Sequence, residues 1–215
     1  RVLSLGNTPP QIGTTIRTVA GYPLFGMWAR GINGWNDKNK DGILTYNVDP
    51  SLNEVFVDTA FSFRGYSAPR EFLALTSGFD LFNRKLRITA LTDWRGANRY
   101  YNNTERIRCV SRNNCNGLMN PASSFEEQAM VVGTRNDPSA TLDGFFQTGN
   151  FIKLREVSAQ FTFPSVLVRS LRARDASITL SVRNVAKWSK YRGVDPESDF
   201  TATTGGDAPS DFQSF

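Results

Sequence analysis

Two-residue alternation of apolar and polar side chains is the feature that most limits how this chain can fold. Four apolar residues share one face of residues 72–81: Leu73, Leu75, Phe79 and Leu81. Four more share one face of residues 85–94: Leu86, Ile88, Ala90 and Trp94. Because successive side chains of a β-strand point to opposite faces, this repeat predicts two strands of about ten residues each. The short connection Phe82-Asn83-Arg84 predicts that they pair as an antiparallel hairpin.

The same repeat returns near the end of the chain. Residues 157–163 alternate, and Pro164 ends that strand because proline has no N–H for the ladder. Residues 176–182 alternate in the same way and are the predicted partner. Residues 55–63 are a further strand candidate, while residues 166–171 are compatible with either a strand or a helical turn. The sequence therefore predicts an all-β, antiparallel architecture.

Strand length and loop length favour a membrane barrel, although a soluble β-sandwich remains open. The mean hydropathy of −0.36 and the lack of a long apolar run exclude a transmembrane helix. A strand with alternating apolar and polar residues has a low mean hydropathy even when one of its faces contacts lipid. About ten residues suffice for such a tilted strand to cross a bilayer. The connection over residues 96–149 is long, polar and predicted to be a loop. Short turns at one end and long loops at the other are typical of outer-membrane barrels.

The residue inventory argues against an enzyme and against a nucleic-acid-binding protein. The chain of 215 residues contains no histidine, which excludes Ser-His-Asp and Cys-His relays and His-ligated metal sites. Its net charge of +5 comes from basic residues scattered among acidic ones, without a dense basic cluster. We therefore predict no catalytic residues and no required cofactor.

Residues 37–44 (DKNKDGIL) form the sharpest local motif. Asp37, Asn39 and Asp41 would supply side-chain oxygens to Ca²⁺, and Ile43 its backbone carbonyl, around the tight turn at Gly42. The twelfth position of an EF-hand loop is Val48 here, not glutamate. Asp49 is one residue late, and Glu54 would need a different path of the chain to reach the loop. The alternative is a turn in which these side chains cap backbone N–H groups.

Cys109 and Cys115 are the only cysteines, and they flank five residues inside the long polar connection. In an oxidising compartment they would close a small ring, which favours a disulfide and an exported protein. The alternative is a pair of free thiols in a cytosolic protein. Their polar neighbours predict that neither cysteine is buried in a core. Aromatic residues also gather near strand ends, which is typical of a bilayer boundary.

Four segments, taken in order, resemble the C-terminal part of the SusC/RagA-type TonB-dependent outer-membrane transporters. The first is residues 21–28 (GYPLFGMW), which lead into the Asp37 loop. The others are residues 150–158 (NFIKLREVS), residues 182–185 (VRNV) and residues 191–197 (YRGVDPE). Each motif is weak alone, and the resemblance rests on their shared order over most of the chain.

This resemblance implies a bacterial outer-membrane importer of oligosaccharides or peptides. Its barrel has 22 strands, an N-terminal plug, a SusD-like surface lipoprotein as partner, and a TonB-type energy-coupling protein. Residues 1–215 would then be the C-terminal part of the barrel, without plug, coupling box or most strands. We expect neither end to be a natural terminus and a final strand to follow Phe215. The sequence assigns no ligand-contacting residues. Two alternatives stay open: a structural or adhesive surface protein, and a secreted calcium-dependent carbohydrate-binding β-sandwich.

Overall fold

The computed structural model describes residues 1–47, 49–135, 140–170, 172–193 and 195–197. The ten strands assigned within these residues are β1 (Gln11–Ile12), β2 (Ile16–Thr18), β3 (Gly26–Trp35), β4 (Val55–Gly65), β5 (Glu71–Leu81), β6 (Leu86–Gly96), β7 (Arg99–Tyr101), β8 (Phe146–Thr148), β9 (Phe151–Thr162) and β10 (Ser177–Ser189). The α-helices are α1 (Asn103–Arg106), α2 (Asn116–Met119), α3 (Phe125–Arg135) and α4 (Ser165–Ser170). The described part of the chain contains no helix with the length and apolar character needed to cross a membrane.

The chain divides into two compact units. Unit 2 comprises Arg70–Gly96 and Asn150–Ser189, and unit 1 comprises the remainder. Unit 1 contains a four-stranded sheet in the order β1-β2-β3-β4 and the small pair β7-β8. Unit 2 is a four-stranded antiparallel sheet in the order β10-β9-β6-β5. The prediction of an antiparallel, mainly β chain is confirmed.

The predicted hairpin of unit 2 is confirmed as β5 and β6. Their register pairs Leu73 with Trp94 and Leu81 with Leu86, so the two predicted apolar faces form one surface. The turn between them is left-handed, because Phe82, Asn83 and Arg84 all have positive φ. The strand predicted at residues 55–63 is also confirmed, as β4.

The later strands are longer than predicted. β9 begins at Phe151, before the predicted start at residue 157, and β10 continues to Ser189. Both strands contain a register shift, in β9 next to Arg155 and in β10 between Arg183 and Ala186. In β9 the extra residue exchanges the two faces, whereas in β10 two residues fall outside the register and Ala186 returns to the face of Val182, so simple alternation stops at both points. The undecided segment at residues 166–171 is helical as α4, up to Ser170; Leu171 lies outside the described residues.

The long polar connection is folded, which corrects the loop prediction for residues 96–149. It contains β7, α1, α2, α3 and β8. Its core in unit 1 consists of apolar side chains with the two cysteines: Met27, Ala29, Tyr101, Cys109, Cys115, Met130, Val131, Phe145 and Phe146. The apolar residues are separated by polar ones at helical and irregular spacing, so the segment's average composition concealed them.

Candidate functional site

The sheet of unit 2 presents one apolar face that runs across all its strands. The row nearest the β5–β6 turn comprises Leu81, Leu86, Phe161 and Ile178. The row at the opposite end comprises Leu73, Trp94, Ile152 and Trp188. Much of this face is uncovered, because Leu75, Phe79, Leu180 and Val182 are 58%, 65%, 68% and 62% exposed. Apolar patches of this extent are rare on soluble monomers and mark contact with a membrane or a partner.

The opposite face of the same sheet is polar and charged. Arg155 forms a bidentate ion pair with Asp93, with N–O distances of 2.8 and 2.7 Å. Thr89 and Ser158 share a hydrogen bond between their hydroxyls, and Arg183 lies 3.2 Å from Glu156. The sheet therefore separates an ion-paired surface from an apolar one across a single layer of backbone, as the wall of a water-filled barrel requires.

The YRGVDPE segment, described here except for Val194, is anchored in unit 1 by a polar network around Arg192. Its guanidinium lies 3.2 Å from the buried Glu105 carboxylate and 3.2 Å from Glu127. The Arg192 amide donates to Gln147 at 3.0 Å. Burial by itself would lower the pKa of the Arg192 guanidinium, but the attraction of the Glu105 and Glu127 carboxylates is larger and raises that pKa. Tyr191 packs against Tyr100 with ring centroids 5.5 Å apart.

Beside this network, unit 1 has a cleft of about 470 Å³. Its charged and aromatic lining residues are Trp35, Arg99, Glu126, Glu127, Asp143, Phe146, Lys190 and Arg192. Asp143 also forms a second bidentate pair, in which Arg64 donates to it at 2.6 Å through two nitrogens. Apart from Arg192, which belongs to the YRGVDPE segment, none of these residues was singled out from the sequence, since each network joins segments far apart along the chain.

The predicted calcium ligands converge on one turn, with their oxygens directed at backbone N–H groups. Asp37 accepts from the Gly42 amide at 2.9 Å, and Asp41 accepts from the Ile43 amide at 2.8 Å. Asn39 accepts from the Asp41 amide at 3.1 Å. Among the described residues there is no group of three or more His, Cys, Asp or Glu side chains placed to hold a metal ion. Calcium binding stays a prediction.

Glu54 reaches this loop, although its sequence position left that unresolved. Its carboxylate accepts from the Lys38 amide at 2.9 Å and from the Thr45 amide at 2.8 Å. Burial by itself would raise the pKa of Glu54, but the hydrogen bonds from Thr45 and Lys38 outweigh burial and lower it. Asp49 caps the Ser51 amide at 2.9 Å instead. Val48 lies outside the described residues.

The predicted disulfide is confirmed, with Cys109 and Cys115 joined at a Cα–Cα distance of 4.9 Å. The prediction that the cysteines avoid the core is wrong: they are 0% and 6% exposed. They pack in the core of unit 1 with Met130 and Phe145. The bridge therefore fastens an otherwise polar segment to the buried centre of this unit.

Comparison with known proteins gives the family resemblance a second basis. No protein-family profile matches the chain. The curated "TonB-dependent receptor P26" of Formosa agariphila is 21% identical over 216 residues, covering 91% of this chain and 20% of the relative. The solved RagAB peptide importer matches in its "closed-closed" state with a TM-score of 0.59 and 16% identity, and in its "open-open" state with 0.58 and 13%. The resemblance to the SusC/RagA-type receptors is confirmed.

The match concerns a part of these receptors. The two importer structures cover 91% and 97% of this chain but are themselves covered over only 22% and 24% of their length. The chain therefore spans about a fifth of its curated relative and less than a quarter of the matched importer chains. At these identities the structures establish a shared fold.

Proposed function

We propose that this chain forms part of the wall of a TonB-dependent importer in the bacterial outer membrane. The observation that carries the proposal is the division of the unit 2 sheet into an apolar and an ion-paired face. Leaving side chains such as Phe79 and Leu180 in water forgoes roughly 1.5–3 kcal/mol each relative to burial in an apolar phase. Hydrocarbon lipid on that face recovers this energy, and the ion-paired face then lines the water-filled interior.

The unit 2 sheet must be completed by further strands. Its outer strands, β5 and β10, end the hydrogen-bonded order within the unit. Open strand edges in lipid cost several kcal/mol for each unsatisfied backbone group. The proposal therefore includes a closed barrel of 22 strands, to which residues 1–215 contribute a C-terminal part, and a plug from another part of the protein.

The remaining parts of the proposal follow from the family resemblance. The importer takes up oligosaccharides or peptides, works with a SusD-like surface lipoprotein, and receives energy through a TonB-type protein. In this role the chain binds and conducts ligand and carries out no chemical step on it. The similarity to the RagAB peptide importer supports the transport role.

A pair of neighbouring substitutions on β10 tests the membrane wall. Leu180 lies on the apolar face and Ser181 on the opposite one. A lysine on the lipid side of a barrel costs about 2–4 kcal/mol near the bilayer centre, whereas a lysine in the lumen is tolerated. We therefore expect Leu180→Lys to reduce the amount of assembled receptor in outer membranes, and Ser181→Lys to leave it near the wild-type amount. Equal assembly of both variants would contradict the proposal.

A further inference from the structure

Both short connections of unit 2 lie at one end of its sheet. The β5–β6 turn lies beside the end of β9, because the amide of Thr162, the last residue of β9, donates to the Lys85 carbonyl at 2.8 Å, and residues 163–176 lead from there to β10. At the other end of the sheet, β6 and β9 connect to the long segment Ala97–Gly149. In outer-membrane barrels the short turns face the periplasm. We therefore name the end with Lys85 the turn end.

The helix α4 follows β9 at the turn end and exposes two apolar side chains. Val168 is 2% exposed, while Val166 and Leu167 are 79% and 57% exposed. Phe82, at the tip of the β5–β6 turn, is 74% exposed. These three side chains belong to the connections at the end of the sheet where the last row of its apolar face contains Leu81 and Phe161.

Basic residues occupy the same two connections as these apolar side chains. The two connections carry five exposed basic residues: Arg84, Lys85, Arg169, Arg172 and Arg174. Asp175 is the one acidic residue in the same two segments. Among the residues that the structure describes, none of the five forms an ion pair, whereas nearby Arg87 is paired with Asp80. The turn end is thus a surface with unbalanced positive charge beside exposed hydrocarbon.

We propose that the turn end binds the headgroups of anionic phospholipids in the periplasmic leaflet. This inference rests on the proposed function, which places the apolar face of the sheet in the membrane. Val166, Leu167 and Phe82 would enter the upper acyl region, as apolar side chains of interfacial helices do. The arginines and lysine would extend to the phosphates, with their aliphatic stems along the hydrocarbon boundary.

The apolar surroundings favour a lipid over a free phosphate ion or a nucleic acid. A soluble anion would be bound by the charges alone and would leave Val166 and Phe82 in water. A phospholipid satisfies the charges and covers the apolar side chains at the same time. The turn end also terminates the sheet whose apolar face is already proposed to contact lipid, so the phosphates of a leaflet would lie near the basic residues.

The test uses the full-length receptor that carries this sequence, reconstituted in nanodiscs of phosphatidylcholine with increasing phosphatidylglycerol. Native mass spectrometry counts the phosphatidylglycerol molecules retained by the wild type and by the triple variant Lys85→Gln/Arg169→Gln/Arg174→Gln. These positions avoid the left-handed residues Arg84 and Arg172. Each basic residue near an anionic surface adds about fivefold to lipid affinity. We expect the triple variant to lose most of the retained phosphatidylglycerol.

The matched control removes three exposed charges from unit 1 through Arg1→Gln/Arg108→Gln/Arg112→Gln, none of them at a left-handed residue. It should retain as much phosphatidylglycerol as the wild type, because it changes the net charge equally but leaves the turn end intact. The charge-preserving variant Lys85→Arg/Arg169→Lys/Arg174→Lys should also retain the lipid. It shows whether any loss in the first variant comes from charge or from misfolding.

The two proposals fail in different ways. A receptor that does not insert into the bilayer contradicts the proposed function and this inference with it. An inserted wild-type receptor without preference for phosphatidylglycerol contradicts this inference alone, as does equal lipid loss in the unit 1 control. Displacement of the lipid by millimolar inorganic phosphate would likewise overturn it, because the site would then bind a free anion.

Discussion

Arg155 of β9 donates hydrogen bonds to both carboxylate oxygens of Asp93 on the neighbouring strand β6, with N–O distances of 2.8 and 2.7 Å. The pair lies at the bulge of β9, where the extra residue turns its side chain toward the polar face. A bidentate pair at this point fixes the register of two long strands on the side opposite the apolar face. The pair is therefore a structural feature of the proposed wall, and its strength can be measured.

The first prediction concerns this pair. Arg155→Met removes the bidentate partner of the mostly buried Asp93 carboxylate and leaves only the longer contact to Arg95 at 3.7 Å, so we expect the receptor in detergent to lose about 2 kcal/mol of stability. The control is Arg183→Met, which removes an exposed arginine and a single contact to Glu156. That change should cost less than about 0.5 kcal/mol. Chemical unfolding followed by tryptophan fluorescence gives both values, and equal losses would show that Arg155 has no special role.

The second prediction concerns pH and Glu54. Because its folded pKa is lowered, the hydrogen bonds of the ionised carboxylate stabilise the loop fully above the ordinary value of 4.5. This stabilisation is lost as the pH falls through the folded pKa. Glu54→Gln should therefore cost about 1–3 kcal/mol at pH 7, and progressively less at acid pH. Melting of wild type and variant across pH checks this, and a difference that grows toward acid pH would refute it.

The third prediction concerns calcium. If Asp37, Asn39, Asp41 and the Ile43 carbonyl bind the ion, Tb³⁺ in the loop should luminesce through Trp35, two residues before it, and Ca²⁺ should displace it. The variant Asp37→Ala/Asp41→Ala should abolish the signal. Loss of these capping carboxylates also weakens the turn, so melting without metal provides the baseline. If adding Ca²⁺ does not change the melting temperature of the wild type, and no Tb³⁺ luminescence is seen, the loop is a capped turn and the calcium prediction is wrong.

The fourth prediction concerns the disulfide. Removing it by Cys109→Ala/Cys115→Ala releases a short ring in the core of unit 1, which should cost about 2 kcal/mol by the chain-entropy account. We expect faster proteolysis within Ala97–Gly149, detected by mass spectrometry of the fragments. Fragments from β9 and β10 should be unchanged, because the bridge lies in the other unit. A cleavage pattern identical to that of the wild type would show that the bridge contributes little.

The sequence predicts the β5–β6 hairpin well because alternation and turn are local signals. The same alternation rule predicts β9 and β10 to be shorter than they are, and the reason is physical. In β9 the bulge at Arg155 moves the apolar residues from odd to even positions, so Val157 and Leu154 share a face. In β10 two residues between Arg183 and Ala186 fall outside the register, and Ala186 returns to the face of Val182. Each strand is therefore two alternating pieces that an irregular step separates, and the parity changes only in β9.

The networks of unit 1 have no comparable local signal. Arg192 meets Glu105 and Glu127 only because the folded connection returns to the end of the chain. The burial of Cys109 is equally a product of tertiary packing, since its sequence neighbours are polar. The motif at residues 37–44 is a local signal, and its residues converge as expected. The local signal does not decide the role of the carboxylates, because the same groups also cap backbone N–H groups.

The central claim is that lipid covers the apolar face of the unit 2 sheet. Ala159 and Gln160 are neighbours on the inner strand β9 and point to opposite faces. Bimane attached to Ala159→Cys or Gln160→Cys in the reconstituted receptor reports its surroundings, since both native cysteines are in the disulfide. We predict that brominated lipids quench the label at position 159 and aqueous iodide the label at position 160. The reverse pattern, or equal quenching at both, would contradict the account.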